Sequence, residues 1–331
     1  MTTTCINPID MTIFGGGGDD GGVKEYIRNR FFPLRSLVQI RKGDFLGPYQ
    51  LIRRIDGGTY GDVWEAIDMR PPLMPPSPLP PPRKVAIKIQ CNTDESDDEH
   101  YFSAFRELEC LHQLSGIENV VQLLDAFYVN STLFFVLEYC EHTLHQLFIT
   151  IKHTSNKEQV FRLIFKQILQ GLVAINSKGY IHLDIKPKNI LIDSTGTVKI
   201  CDFSISHKLS EITQGEEYCS TWWRPPEVVN NHLYGEYFKS TFNIGFNADV
   251  WAIGCILYEG MSNGEILYCH DDSEKLLEAF KKKHFYKRDN HYINTKLSKY
   301  PILVDFIKLC LIHDNTERPT AEQLLTHAFF K

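Results

Sequence analysis

The stretch Ile181–Asp202 constrains the fold of this chain most strongly, because it joins a rigid polar loop to a tight hairpin. Pro187 fixes its own φ angle and keeps the residue before it out of the helical region, so a loop and not a helix is expected there. Two short apolar runs and a turn between them follow, namely Ile190–Ile192, Asp193–Gly196 and Val198–Cys201. This pattern predicts a β-hairpin with a polar loop before it and a carboxylate after it.

The polar residues around this hairpin have the spacing that phosphoryl transfer needs. Asp184 can accept the proton of an attacking hydroxyl, Lys186 can neutralise a γ-phosphate, and Asn189 can offer an amide oxygen to a metal ion. A second carboxylate, Asp202, follows the hairpin directly, before Phe203. Taken alone, Asp184 and Asn189 are equally well explained as ordinary turn residues.

Together with motifs in both flanking regions, this stretch resembles the catalytic region of the protein kinase family. The resemblance runs from about Tyr49 to Lys331 and includes Val85-Ala86-Ile87-Lys88. It implies an α+β, bilobal protein-kinase-like fold, with a small antiparallel β-sheet lobe carrying one helix and a larger, mainly α-helical lobe. In such a fold Asp184, Lys186 and Asn189 are catalytic, and Asn189 and Asp202 bind the metal.

The nucleotide-binding residues are assigned by the same resemblance. Lys88 lies in an apolar strand and needs an anionic partner, for which the helical stripe around Phe105 and Leu108 offers Glu107, or Glu109 if the register slips. The full predicted set for ATP is Gly57, Gly58, Gly61, Val63, Ala86, Lys88, Glu107, Glu138 and Cys140. ATP and Mg²⁺ are the expected cofactors.

Composition predicts the boundaries of the domain. Residues 1–44 contain glycine-rich runs and are expected to form a flexible extension. The resemblance implies a kinase domain over residues 45–331, with a first lobe over 45–137, a hinge over 138–140 and a second lobe over 141–331. The segment 70–83 contains eight prolines and predicts a stiff surface loop between two strands. Its part 78–83 also fits an SH3-type ligand, which is the less favoured reading.

Charge and cysteine content restrict the partners. A net charge of −6 provides no basic field for nucleic acid, and no apolar run is long enough to cross a bilayer. Nine cysteines without a Cys-x-x-Cys pair predict free thiols in a reducing compartment, and so a cytoplasmic or nuclear protein. Protein substrates are the expected partners.

Further family positions predict how the larger lobe is held together. Glu227 and Arg318 are expected to form a buried ion pair, Ser220 to contact Asp184 and Lys186, and Asp249 to anchor the catalytic loop and cap a helix. Arg224 in its sequence context resembles the corresponding region in the branch of cyclin-dependent and mitogen-activated kinases. This resemblance suggests substrates with proline directly after the residue that is phosphorylated.

Three positions depart from the family pattern. Asp56 replaces the first glycine of the glycine-rich hairpin and is expected to weaken nucleotide binding. Leu183 replaces the arginine that normally receives an activation-segment phosphate, so we expect activity without that phosphorylation. Ser204 replaces the glycine of Asp-Phe-Gly and is expected to restrict the backbone. The sequence therefore predicts a serine/threonine protein kinase, and the alternative is a pseudokinase scaffold without turnover.

Overall fold

The computed structural model describes residues 7–8, 40–58, 61–71, 82–90, 98–129, 132–212, 218–234, 244–270, 272–281 and 291–331. The chain divides into two compact units. The first contains the residues up to Ser115 together with Val121–Cys140, and the second contains Gly116–Val120 and Glu141–Lys331.

The first unit is built on an antiparallel sheet. Its strands are β1 (Asn7–Pro8), β2 (Phe45–Leu46), β3 (Tyr49–Gly58), β4 (Gly61–Asp68), β5 (Arg83–Gln90), β6 (Leu123–Val129) and β7 (Thr132–Glu138). They are hydrogen-bonded in the order β1-β6-β7-β5-β4-β3-β2. One helix, α1 (Asp98–Gln113), belongs to this unit.

Alternating apolar residues give this sheet a buried face. Leu51, Ile87 and Val136 are fully buried in one cluster, where Tyr49, Phe127 and Phe134 stack. Such alternation is expected of strands with one face turned to a core. The sheet thereby fixes β5, the strand that carries Lys88.

The second unit is mainly helical. Its helices are α2 (Leu144–Thr150), α3 (Lys157–Ser177), α4 (Pro226–Tyr234), α5 (Ala248–Met261), α6 (Ser273–Lys281), α7 (Pro301–Cys310) and α8 (Ala321–Leu324), and residues 291–296 are helical as well. Its strands are β8 (His142–Thr143), β9 (Tyr180–Ile181), β10 (Ile190–Ile192), β11 (Val198–Ile200) and β12 (His207–Lys208). The predicted hairpin is β10 and β11, which pair antiparallel. These two units confirm the predicted α+β kinase fold.

Helix α5 is the centre of the second unit, because every one of its residues is buried. Two glycines allow other elements to approach it closely. A Cβ at Gly254 would lie 2.7 Å from the Cβ of Cys310 in α7, and one at Gly260 would lie 2.8 Å from the ring of Phe161 in α3. Larger side chains at these positions would push the helices apart.

One local prediction is wrong in detail. Asp249 does not cap α5, because Asn247 occupies the N-cap position and the helix begins at Ala248. Val120, which precedes the start of β6 at Leu123, makes a parallel bridge to Ile200 within the second unit.

Several predictions fall on residues outside the described part of the chain. They include most of the extension 1–44 and positions 72–81 of the proline-rich loop, with most of the SH3-type motif; Arg83, the last residue of that motif, opens β5. In the described ranges no helix is long and apolar enough to cross a membrane, and the cysteines there are free thiols.

Candidate active site

The carboxylate of Asp184 is the centre of a compact polar group in the second unit. Its Oδ2 accepts hydrogen bonds from Lys186 Nζ at 2.6 Å and from Asn189 Nδ2 at 2.9 Å. Its Oδ1 accepts from the hydroxyl of Ser220 at 2.6 Å and from the Ser220 amide at 3.1 Å. Lys186 Nζ also donates to the Ser220 hydroxyl at 3.1 Å, which confirms the predicted contact of Ser220 with both residues. The group orients one buried carboxylate through both of its oxygens.

The backbone of this loop is held by Asp249, the first-turn acid of α5. Its two carboxylate oxygens accept from the amides of His182 at 2.9 Å and Leu183 at 2.8 Å, which confirms the predicted anchor. Burial raises the pKa of Asp249, while these N–H donors oppose the rise. Leu183 has a φ of 65°, a left-handed conformation that is costly for a branched side chain. Anchoring by Asp249 keeps this strained residue in place.

His182 connects the loop to the segment that carries Asp202. Its Nδ1 accepts from the Asp184 amide, so its Nε2 carries the proton and donates to the Cys201 carbonyl at 3.0 Å. Its ring lies 4.9 Å from that of Phe203, which is fully buried. Asp202 itself has a φ of 65°. The position of the second carboxylate is therefore linked to the catalytic loop through a histidine.

The predicted pair of Lys88 and Glu107 is present within the first unit. Lys88 Nζ lies 2.7 Å from both carboxylate oxygens of Glu107, and both side chains are buried. Gln90 Nε2 donates to the same carboxylate at 2.8 Å. Glu107, and not Glu109, is thus the partner of Lys88. Sequence reasoning missed Gln90, whose position two residues after Lys88 puts it on the same face of β5.

The glycine-rich hairpin is formed by the end of β3 and the start of β4, where Gly58 pairs with Gly61. Gly61 has a φ of 125°, which favours glycine. Asp56 Oδ1 accepts from the Gly57 amide at 2.8 Å, so this carboxylate is tied to its own strand. Val63 lies opposite Lys88 in the neighbouring strand. The structure places these residues in one hairpin next to β5.

The predicted adenine-binding positions lie at the end of β7. Glu138 pairs with Val85, and Ala86 pairs with Leu137. The Glu138 amide donates to the Gln122 carbonyl at 3.0 Å, and its carboxylate accepts from the Gln122 amide at 2.9 Å. Cys140 is half-buried at the end of the first unit. These contacts fix the backbone direction of the segment that leaves the sheet.

An arginine clamp, missed by sequence reasoning, lies next to Ser220. Arg224 Nη2 and Nε donate to the Cys219 carbonyl at 2.6 and 3.1 Å, and its Nη1 donates to the Ser273 hydroxyl at 2.5 Å. Cys219 has a φ of 66°, so its carbonyl is turned by a left-handed backbone. The sequence signal for this contact is Arg224 itself, which the resemblance connects only with the family branch.

A cavity of about 550 Å³ lies next to the residues that bind the Asp184 carboxylate. Lys186 and Ser220 line it together with Trp222, Trp223 and Glu259. The indole N–H of Trp223 donates to Glu259 at 3.2 Å, and burial raises the pKa of Glu259 to about 7. Two residues that bind the Asp184 carboxylate, Lys186 and Ser220, are therefore open to this space.

The predicted pair of Arg318 and Glu227 is present in the second unit. Arg318 Nη1 and Nη2 donate to the two carboxylate oxygens of Glu227 at 2.6 and 3.0 Å, and both side chains are buried. The pair fixes the start of α4.

Comparison with known proteins agrees with this geometry. A family profile described as the protein kinase domain matches residues 49–330. The chain belongs to the protein kinase family. It is 30% identical to cyclin-dependent kinase 2 of Caenorhabditis elegans over 72% of this chain and 60% of that protein. It is 28% identical to mouse cyclin-dependent kinase-like 4 over 86% of this chain and 83% of that protein.

Human cyclin-dependent kinase-like 2 is 30% identical over 72% of this chain and 51% of its own length. The chain thus spans between about half and four fifths of the three relatives. These similarities agree with the branch that the sequence around Arg224 suggested.

Protein kinases use ATP and Mg²⁺, and the residues of this kinase suit both. A buried lysine held by a carboxylate is a typical partner for phosphate oxygens. The Asn189 amide nitrogen is already bound to Asp184, which directs its oxygen, a good Mg²⁺ ligand, to the other side.

Proposed function

We propose that this kinase transfers the γ-phosphate of ATP to serine or threonine hydroxyls of proteins. The observation that supports this most is the carboxylate of Asp184, oriented by Lys186, Asn189 and Ser220 at 2.6–3.1 Å. Such an arrangement suits a general base whose orientation must be set before the substrate arrives.

Asp184 accepts the proton of the substrate hydroxyl as that oxygen attacks the γ-phosphorus of ATP, and the bond from this phosphorus to the β,γ-bridging oxygen breaks, so that ADP leaves. Lys186 lies close enough to the base to stabilise negative charge that builds on the phosphoryl oxygens. Ser220 supplies two donors to the opposite carboxylate oxygen, so the anion cannot rotate freely.

Lys88 is assigned to the ATP phosphates, since Glu107, whose carboxylate also accepts from Gln90, holds its ammonium group in a fixed position. Asn189 and Asp202 are assigned to Mg²⁺, which supplies neutralisation of phosphate charge when it is bound. The remaining nucleotide contacts are assigned to the glycine-rich hairpin and to the end of β7, namely Gly57, Gly58, Gly61, Val63, Ala86, Glu138 and Cys140.

Substrates with proline directly after the acceptor fit this site best. The carbonyl of Cys219 immediately precedes Ser220, and Arg224 already occupies it with two donors. The backbone N–H of the substrate residue after the acceptor then cannot hydrogen-bond to the Cys219 carbonyl. Proline has no backbone N–H, so it loses no hydrogen bond at this position. A peptide with alanine in place of that proline should therefore react more slowly.

Activity should not require phosphorylation of the activation segment. Leu183 is fully buried where the family usually has a phosphate-binding arginine, and an apolar side chain cannot bind a phosphate. Phosphatase treatment is expected to leave the rate unchanged, and loss of activity on treatment would refute this part of the proposal.

The deciding experiment is phosphate transfer from ATP-Mg²⁺ to a peptide containing Ser-Pro, comparing the chain with its Asp184→Asn variant. Loss of the base should lower kcat by about 10²–10⁴-fold. Equal turnover by both forms would reject the assignment of Asp184. Nucleotide binding without any turnover would favour the alternative, a pseudokinase scaffold.

A further inference from the structure

A buried apolar cluster links the catalytic loop to the segment before Ser220. Its members, called here the loop-segment cluster, are Ile181, Leu183, Tyr218, Val228, Ile244 and Ala248. Leu183 is 0% exposed and Tyr218 is 2% exposed. The first belongs to the catalytic loop, and the second lies two residues before the serine that binds the base.

The ring of Tyr218 also contacts β12, the strand that follows Asp202 in the chain. The His207 ring lies 5.2 Å from it at an angle of 78°, an edge-to-face contact that aromatic pairs favour. His207 in turn pairs with Ile181 between β12 and β9. Two independent elements, the loop and this strand pair, thus fix the position of Tyr218.

Only Cys219 separates Tyr218 from Ser220, and the backbone of Cys219 is restricted. Its φ of 66° and the bond from Arg224 to its carbonyl fix the direction of the chain. A displacement of the Tyr218 ring is therefore passed on to the amide and hydroxyl of Ser220, both of which donate to Asp184.

We propose that Tyr218 is a positioning residue for phosphate transfer, because its burial in the loop-segment cluster, which also contains Leu183, holds Ser220 on the Asp184 carboxylate. Apolar packing then holds this serine without a charged side chain at position 183. This inference rests on the proposed function, since it concerns the same base. A buried ring needs neither a modifying enzyme nor a counterion, so the position of Ser220 is set as soon as the chain folds.

The test compares three variants of the full chain, Tyr218→Ala, Tyr218→Leu and Ile244→Ala. Ile244 belongs to the loop-segment cluster but lies outside the short path from Tyr218 to Ser220, so it is a matched control for lost apolar burial. We expect Tyr218→Ala to lower kcat by about 10- to 100-fold, as for a catalytic group displaced by about 1 Å, with little change in the KM for ATP. Tyr218→Leu should lie between this variant and the wild type.

Ile244→Ala should lower the Tm without a comparable loss of kcat. In a Ser220→Ala background the Tyr218→Ala change should have a smaller effect on kcat than in the wild type, because the hydroxyl contact is already gone and only the backbone amide of residue 220 still donates to Asp184. Equal losses of kcat in the Tyr218 and Ile244 variants, or fully additive losses in the double variant, would overturn the proposal.

Hydrogen exchange of the Ser220 amide gives a readout that does not need activity. Tyr218→Ala should accelerate exchange at this amide, and Ile244→Ala should not. If the wild type shows no phosphate transfer but this difference is present, the proposed function is wrong and the positioning link stands. If transfer is present and the amide is unchanged by Tyr218→Ala, the positioning link is wrong.

Discussion

Replacing Arg318 tests how the second unit holds the start of α4. The guanidinium binds both oxygens of Glu227, and it also donates to the carbonyls of Ile312 at 2.9 Å and Asn247 at 3.0 Å. Its Cζ atom lies 5.1 Å from the centroid of the Trp251 ring. One side chain therefore serves a buried acid and two backbone acceptors.

Arg318→Ala would leave the Glu227 carboxylate buried without its counterion, which typically destabilises a protein by about 3–5 kcal/mol. Each carbonyl left without a donor adds about 1–3 kcal/mol if water cannot reach it. The total is comparable to the whole free energy of unfolding of a typical domain, about 5–15 kcal/mol. We therefore expect this variant to be largely unfolded.

Urea denaturation measures this effect best with a graded series. Arg318→Lys keeps the charge but not the two-pronged geometry, so it should fall between the wild type and Arg318→Ala. Glu227→Leu combined with Arg318→Met should recover part of the stability, because it leaves no unpaired charge. Lys275→Ala, which breaks an exposed pair with Asp272, is the control and should not change the midpoint measurably.

Two results would refute this reasoning. One is an Arg318→Ala variant as stable as the control. The other is a double variant whose loss equals the sum of its two single losses, because that would mean that the charges of Glu227 and Arg318 do not interact.

Two further predictions concern acids of α5. Burial raises the pKa of Glu259 from 4.5 to about 7, so the folded state is destabilised as pH rises through this range. Glu259→Gln should therefore raise the free energy of unfolding at pH 8 by on the order of 1–3 kcal/mol and leave it unchanged below about pH 4.5, as denaturation at several pH values would show. Asp249→Asn retains an acceptor for only one of the amides of His182 and Leu183, because its nitrogen cannot accept. Its kcat should fall by about 10- to 100-fold, with peptide KM less affected, and an unchanged kcat would show that the anchor is dispensable.

Much of this fold follows from local patterns. The apolar period of α3, its end at Lys178 and Gly179, and the hairpin of β10 and β11 all depend on residues close in sequence. The pairs of Lys88 with Glu107 and of Glu227 with Arg318 were predicted through the family resemblance, which supplies long-range information that a pattern cannot.

The features that were missed depend on contacts between residues whose types alone say little. Arg224 could have bound many acceptors, and only the left-handed backbone of Cys219 makes its carbonyl the right one. Asp249 lies inside the first turn of α5, where both oxygens of its carboxylate accept from the amides of His182 and Leu183, and Asn247 at the N-cap makes no side-chain capping bond. Whether a carboxylate caps its own helix or binds a loop that is distant in sequence cannot be decided from the residues next to it.

Because α5 is buried along its whole length and its first turn carries Asp249, the geometry of the catalytic loop depends on the best-packed helix of the second unit. Heating that does not unfold this helix should not change the geometry of the loop. Thermal inactivation should thus follow the loss of this core closely and should not precede it as a separate, milder event.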